Sequence, residues 1–289
     1  MPKSNTQAPA TQIAEHQPGL LPAAEGSVPS AVLLPQAVVS TQLRDELTYT
    51  SSLVLPFGRG ARGKTFYIRW LIDELRNQGI DIIIVDADRS NATLSAFFPD
   101  VITPLSAEDV DVEDCLRTLT EGVMVRPRTA TVDFGANDLT IKRVSRKLGG
   151  FDAYLASGGI RGVAVYVFGP DREDLALLRD MEDGVFAPAA TILVLNEALL
   201  PPGASVRLFD AIIEDPIFQA ALRRGAIPVF MPRLEAAREV NRHRLGFIAA
   251  AAGVPGPDGT RIGPWNRGLI NAWRGIMVGN NQPVMGWYR

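Results

Sequence analysis

One cysteine, Cys115, and two histidines, His16 and His243, are the whole supply of thiol and imidazole in 289 residues. A single thiol excludes an internal disulfide framework and a cysteine-built zinc site, and two histidines are too few for a histidine metal centre. His243 stands between Arg242 and Arg244 and reads as part of a solvated helix face. No apolar run reaches the ~18 residues that a bilayer-spanning helix needs. The N-terminus lacks the basic start and apolar stretch of a secretory signal, so the expected location is cytoplasmic, with association to the nucleoid or a membrane left open. Neither sign of charge dominates: 29 Lys and Arg against 32 Asp and Glu leave a net charge of −3. This excludes a uniformly basic nucleic-acid coat but not a local basic patch.

The length accommodates one large α/β domain with tails, or two small domains, and a 46% hydrophobic content is ample for a core. Residues 1–45 are rich in Pro, Ala, Gln, Ser and Thr and poor in helix or strand periodicity, which predicts a disordered leader. Over 46–252 short apolar runs (Leu53–Phe57, Ile80–Val85, Ala130–Phe134, Val163–Phe168, Thr191–Leu195, Ile227–Met231) alternate with helical stretches at 65–77, 107–120, 138–148, 171–182 and 235–251. Strands apolar on both faces, separated by amphipathic helices, predict an α/β fold: a mostly parallel sheet with helices on both faces. Residues 253–289 begin as a Gly/Pro linker and continue as a basic, tryptophan-containing tail, in which Leu269, Ile270, Trp273, Ile276 and Met277 share one helical face.

In such sheets ligands bind beyond the carboxyl ends of the strands. The first run ends in Gly58-Arg59-Gly60-Ala61-Arg62-Gly63-Lys64-Thr65, which fits G-x-x-x-x-G-K-[ST]. The flanks agree with the motif: Ser52–Phe57 reads as a strand, and Thr65–Asn77 as a helix with Ile68, Leu71, Ile72 and Leu75 on one face and Gly79 just past its end. Strand, glycine loop and helix start make a socket of backbone N–H groups for a polyphosphate. Lys64 would reach the outer phosphates and the Thr65 hydroxyl would hold Mg2+.

Other strand ends carry polar residues. Asp86-Ala87-Asp88 follows the second run, where a carboxylate can orient an attacking water or stand behind a metal ion. The third run closes on Asp133-Phe134-Gly135-Ala136, an acidic strand end suited to the metal side of a P-loop site. Asn196 ends the fifth run; its amide can read a base edge by donating and accepting together, or start a turn. The sixth ends at Met231-Pro232-Arg233.

In this order, and over roughly 50–250, these segments resemble the ParA/MinD-type branch of P-loop ATPases, whose loop reads K-G-G-x-G-K-[ST]. Arg59 to Thr65 lies on that loop, Asp86-Ala87-Asp88 and Asn91-Ala92-Thr93 on the D-x-D segment and its polar loop, Asp133 on the third-strand acid, and Asn196 and Pro232 on the strand ends that contact the base. Arg59 replaces the signature lysine, and the prolines after the third-strand acid are missing, a variation similar to that of plasmid-stability and conjugative-transfer members. The resemblance implies ATP and Mg2+ as cofactors: Gly58, Gly60, Ala61, Arg62, Gly63, Lys64 and Thr65 hold the nucleotide, Asp88 orients the water, and Thr65 and, through a water, Asp133 hold the metal. It also implies a nucleotide-dependent homodimer in which Arg59 of each subunit points at the other's phosphates. The activity implied is an ATPase that positions or segregates DNA or another cargo with an adaptor protein; Arg59 in place of the signature lysine suits either a finger residue that stabilises transition-state charge or a group that holds the nucleotide in a slowly hydrolysing state.

The working surface is open at this level. Arg223, Arg224, Arg238, Arg242 and Arg244 suit phosphate contacts to DNA or a solvated face balanced by Glu235 and Glu239. The tail helix 266–277 suits a membrane interface, a partner groove or the protein's own flank. Two alternative functions stand beside the switch: a non-hydrolysing nucleotide-binding scaffold, and a small-molecule P-loop kinase with Lys142–Lys147 as the nearest basic segment for a lid.

Overall fold

The structure is a computed structural model and describes residues 49–88, 93–136, 138–182 and 184–289. The expected leader 1–45, His16, and Asn91 and Ala92 of the polar loop lie outside the described residues. Six strands form one sheet: β1 Ser51–Phe57, β2 Ile82–Ala87, β3 Thr129–Phe134, β4 Ile160–Phe168, β5 Ala190–Asn196 and β6 Ile227–Met231. Their order across the sheet is β2-β3-β1-β4-β5-β6, and every pairing is parallel. All six apolar runs are strands, and the α/β class read from the sequence is the class observed.

Alternation along the strands divides the core in two. Val54, Val163, Val165, Val167, Ile192 and Val194 face one layer. That layer holds α1 (Lys64–Asn77). Leu53, Leu55, Ala164, Tyr166, Leu193 and Leu195 face the opposite layer, which includes α2 (Asp109–Val125), α3 (Thr140–Leu148), α4 (Phe151–Ser157) and α5 (Leu175–Glu182). Both faces of the sheet are therefore buried, as a period-two chain between two helical layers requires.

Two prolines fall where a parallel sheet tolerates them. Pro228 lies in β6, an edge strand. Pro56 lies in the central β1, which pairs with β4 through Phe57 but with β3 only at Leu53 and Val54. A proline donates nothing to a ladder, and the β1–β3 pairing stops before it. The sheet is open at that point, directly below the glycine loop.

The connection between β5 and β6, for which the sequence reading proposed no helix, folds into α6 (Asp210–Ile213) and α7 (Pro216–Arg223). Its legible signal was Asp215, whose carboxylate caps the Ile217 N–H, followed by Pro216 at the first helical position. The expected helix 235–251 is two short ones, α8 (Ala237–Arg242) and α9 (Phe247–Ala252). His243, between them, is buried rather than solvated. Its Nδ1 lies 3.2 Å from the Thr260 hydroxyl, because the chain turns there and folds the imidazole under the following segment.

The tail forms α10 (Pro264–Met285), longer than the expected 266–277. It packs on the body through Ile270, Trp273, Met277 and Val284, all buried. Ile276, grouped with that face in the sequence, is 52% exposed. The buried stripe is narrow, with i, i+3/i+4 spacing, and Ile276 is turned ~100° from Met277. Polar bonds fix the same contact: the Trp273 indole donates to the Pro232 carbonyl at 2.8 Å and the Asn280 amide to the Phe230 carbonyl at 2.7 Å. The Tyr67 hydroxyl donates to Asn281 Oδ1 at 2.6 Å. The chain ends against the sheet, with the Arg289 carbonyl accepting from the Thr129 N–H at 3.1 Å. The apolar face offered above as a membrane reader is thus covered by the protein itself. Among the described residues no helix is long and apolar enough to cross a membrane.

Trp273→Ala should destabilise the fold by about 3–5 kcal/mol, the usual cost of deleting a buried indole, read as a lower urea midpoint. A loss below about 1 kcal/mol would mean that the tail is not part of the core.

Candidate functional site

Gly58 to Thr65 leave β1 and enter α1 through a run of unusual backbone angles. Gly63 has φ 98°, and a Cβ there would stand 2.6 Å from Asn196 Nδ2. Gly58 has φ 151°, and its Cβ would stand 2.9 Å from the Val167 carbonyl. These two glycines are required both by conformation and by the closeness of β4 and β5. Ala61 adopts φ 59° with a side chain, the left-handed region that costs an L-residue roughly 1–2 kcal/mol.

Lys64 is nearly buried and folds back on the loop, its Nζ donating to the Gly58 carbonyl at 3.0 Å. Burial holds its pKa below the ordinary lysine range, against the opposing pull of Asp133 and Asp88. The Thr65 hydroxyl, in the first turn of α1, donates to Asp133 Oδ2 at 2.6 Å. Asp133 is 1% exposed, and its other oxygen, Oδ1, is buried without a hydrogen-bond partner. Desolvation pushes the Asp133 carboxyl up to about 6; the Thr65 bond and Lys64 pull it down, while Asp86 and Asp88 add to the rise.

Register explains why three carboxylates meet here. Asp86 pairs with Asp133 across β2 and β3. Alternation sends Asp86, Asp88 and Asp133 to the side of the sheet that carries α1. Their tasks differ. Asp86 accepts from the backbone N–H groups of Asp88, Leu94 and Ser95 and closes the loop after β2. Asp88 faces the cleft. Gly135 lets β3 exit beside it, since a Cβ there would stand 2.9 Å from Asp88 Oδ1.

The cleft has a volume of about 560 Å3 and is lined by residues 60–65 with Arg69, Asp88, Phe97, Ala136 and Asn241. Arg69, Phe97 and Asn241 were not singled out in the sequence. The Arg69 guanidinium lies 3.2 Å from the centroid of the Phe97 ring and donates to Asn241 Oδ1 at 2.7 Å. Burial lowers its pKa to about 10, and it remains a cation at neutral pH. It bolts α1 to the loop after β2 and to α8.

The remaining sequence candidates sit as follows. Asn196 braces the loop: its amide donates to the Arg62 carbonyl at 2.8 Å, and its Oδ1 accepts from the Ala198 N–H at 3.0 Å. Met231, beside Pro232, pairs with Asn196 in the sheet register, which brings these two strand ends together. Gly60, Ala61 and Arg62 line the cleft. Arg59 turns to its own chain, with Nη1 2.9 Å from Glu173 and 3.5 Å from Asp174. Lys142–Lys147, on α3, is not among the residues lining this cleft; there Arg143 and Lys147 pair with Glu113.

Solved structures similar to the chain include a ParA family ATPase from Chlorobium tepidum TLS (13% identity, 78% of this chain and 98% of that one, TM-score 0.45). They also include the septum site-determining protein MinD complexed with Mg-ADP from Pyrococcus horikoshii OT3 (15% identity, 77% and 95%, TM-score 0.45). A third, chloroplast FtsY from Physcomitrella patens, has 15% identity and a TM-score of 0.34 over 50% of each chain, so the match spans about half the length of that protein. No protein-family model matches the sequence, and no curated protein does. The parallel six-stranded sheet with the glycine loop between β1 and α1 is itself an α/β fold of the P-loop NTPase kind.

The donor set fits a divalent cation beside a polyphosphate. A threonine hydroxyl and an orphaned buried carboxylate oxygen are hard oxygen ligands of the kind Mg2+ takes, and left-handed backbone at Ala61 and Gly63 aims loop N–H groups together.

Two measurements test this geometry. Ala61→Gly should leave stability unchanged or raise it by up to about 1 kcal/mol, because relief of the left-handed alanine outweighs the added freedom of the unfolded chain; a clear loss would exclude strain there. Asp133, with its folded pKa raised above the unfolded value, destabilises the protein when ionised. Its contribution is absent at pH below about 4 and grows to about 3 kcal/mol as pH rises through 6. Asp133→Asn should flatten urea stability between pH 4 and 7 relative to the parent, and Mg2+ should stabilise the parent more than the variant.

Proposed function

We propose that this chain is a P-loop ATPase that works as a nucleotide-switched homodimer in the cytoplasm and positions or segregates DNA or another large cargo. The observation that carries the reading is the conjunction at one strand edge of Lys64 and Thr65, the orphaned oxygen of Asp133, and Asp88 on the wall of the same cleft. Such an arrangement supports a phosphate cradle, a cation site and a carboxylate to orient a water, which are the parts that phosphoryl transfer needs.

Backbone N–H groups of residues 60–65 and the Lys64 ammonium hold the outer phosphates. Thr65 and Asp133 would hold Mg2+, which when bound would neutralise charge on the phosphates. Asp88 orients the attacking water. Asn196 spends one amide hydrogen on the loop, at the Arg62 carbonyl, and one lone pair on the Ala198 N–H of its own turn; its second hydrogen and second lone pair serve a base edge, with Pro232 at the adjacent strand end. Arg59 reaches the phosphates of the second subunit, and hydrolysis releases the dimer. The nucleotide's differential affinity for open and closed forms then drives binding to a surface. The exposed arginines Arg223, Arg224, Arg238, Arg242 and Arg244 support DNA as that surface. A plasmid-stability or conjugative-transfer apparatus, with its adaptor protein, fits such a switch. Membrane contact through the tail is less well supported, because the tail's apolar stripe is spent on the body.

One observation favours a second reading, a nucleotide-binding scaffold without turnover: Arg59, at the position of the cross-subunit lysine, is engaged by Glu173 and Asp174 of its own chain. The kinase reading draws no comparable support, since Arg143 and Lys147 of its lid segment are already paired.

Titration with a fluorescent ATP analogue, mant-ATP, and Mg2+ tests the site. The parent should bind, Lys64→Ala should bind about tenfold to a hundredfold more weakly after losing a charge-assisted bond, and GTP should compete worse than ATP. Absence of binding by the parent sinks the proposal. Phosphate release stimulated by DNA supports the switch, and binding without release supports the scaffold. Arg59→Ala should retain nucleotide but lose the ATP-dependent dimer in light scattering; an unchanged dimer removes the cross-subunit role.

A further inference from the structure

The turn after β4 runs Gly169-Pro170-Asp171-Arg172-Glu173-Asp174, and three of its carboxylates grip the two arginines of the glycine loop. The contact follows from topology: β4 lies beside β1, with Phe57 paired to Tyr166, so the turn leaving β4 adjoins the loop leaving β1. Asp174 is the anchor. Its side chain is 1% exposed; Oδ2 accepts from the Gly169 N–H at 2.8 Å, and Oδ1 lies 2.9 Å from Arg62 Nε and 3.5 Å from Arg59 Nη1. The outer grips are exposed. Glu173 holds Arg59 at 2.9 Å and is 81% exposed, and Asp171 holds Arg62 Nη2 at 2.9 Å and is 58% exposed.

We propose that this acidic turn is an electrostatic latch that competes with nucleotide phosphate for Arg59 and Arg62. The inference rests on reading the loop as a phosphate cradle. Carboxylate and phosphate oxygens take a guanidinium through the same planar fork of N–H donors, and a donor committed to Glu173 or Asp171 does not serve a phosphate. Exposed ion pairs are weak and screened by salt, so the outer grips yield to a ligand of high charge, while buried Asp174 keeps the turn in place. The latch thereby sets a threshold: it disfavours weakly charged anions and couples nucleotide arrival to the freeing of Arg59.

The double variant Asp171→Asn, Glu173→Gln removes the outer grips at exposed positions and leaves Asp174 intact. Two readouts decide. In mant-ATP titration with Mg2+ at low salt, the variant should bind about threefold to tenfold more tightly than the parent, the equivalent of one or two exposed ion pairs, and the gap should narrow in about 0.5 M NaCl, where the screening length is only a few Å. Without nucleotide, trypsin should cut after Arg59 and Arg62 faster in the variant. Equal or weaker mant-ATP binding by the variant, or unchanged cleavage at the two arginines, overturns the latch while leaving the cradle standing. If neither protein binds mant-ATP, the cradle reading falls and the latch falls with it.

Discussion

Thr65, on the wall of the cleft, donates a hydrogen bond to the buried carboxylate of Asp133, and much of the molecule is arranged to make that possible. The hydroxyl comes from the first turn of α1 and the carboxylate from the end of β3, 68 residues later. Bringing them together needs β1 and β3 side by side, a glycine loop tight enough to start α1 above the sheet edge, and helices on both faces to exclude solvent. Desolvation then works on the carboxylate, lifting its pKa and leaving one oxygen unsatisfied. A lone buried acceptor is costly, and folds keep such groups where a ligand completes them.

The surroundings divide into rigid and yielding parts. Asn196 fixes the loop from the β5 side, Arg69 clamps α1 to the segment after β2 through Phe97, and the tail helix backs α1 through Tyr67 and Asn281. Against this frame the arginines of the loop are held by ion pairs whose outer carboxylates are solvent-exposed. Such pairs exchange at little cost. The site thus combines a cradle braced by buried bonds with two cations whose outer partners, Glu173 and Asp171, are exposed, the division of labour that a nucleotide-triggered device requires.

Some of this was legible residue by residue. Gly58 to Thr65 declared a phosphate loop because its function depends on local chemistry: glycines for left-handed backbone, a lysine and a threonine at fixed offsets. The six strands declared themselves by continuous apolar runs, since burial on both faces leaves no room for alternation with polar residues. His243 and Ile276 were misread because their exposure depends on what packs over them, the segment around Thr260 in one case and the narrow stripe of α10 in the other. The helices between β5 and β6 were passed over although Asp215-Pro216 marks a helix start.

The sequence by itself determined the local conformations and the inventory: a loop able to cradle phosphate, strands ending in acids, a tail with an apolar stripe. These follow from spacing along the chain, which short-range sterics and periodicity read directly. Tertiary structure alone decided pairings. It gave Asp86 to loop closure and Asp88 to the cleft, turned Asn196 toward the Arg62 carbonyl, spent the tail's stripe on the body and set Asp171, Glu173 and Asp174 against Arg59 and Arg62. Partners more than a hundred residues apart meet only through strand order, and that order is fixed by the packing of whole layers rather than by any one segment.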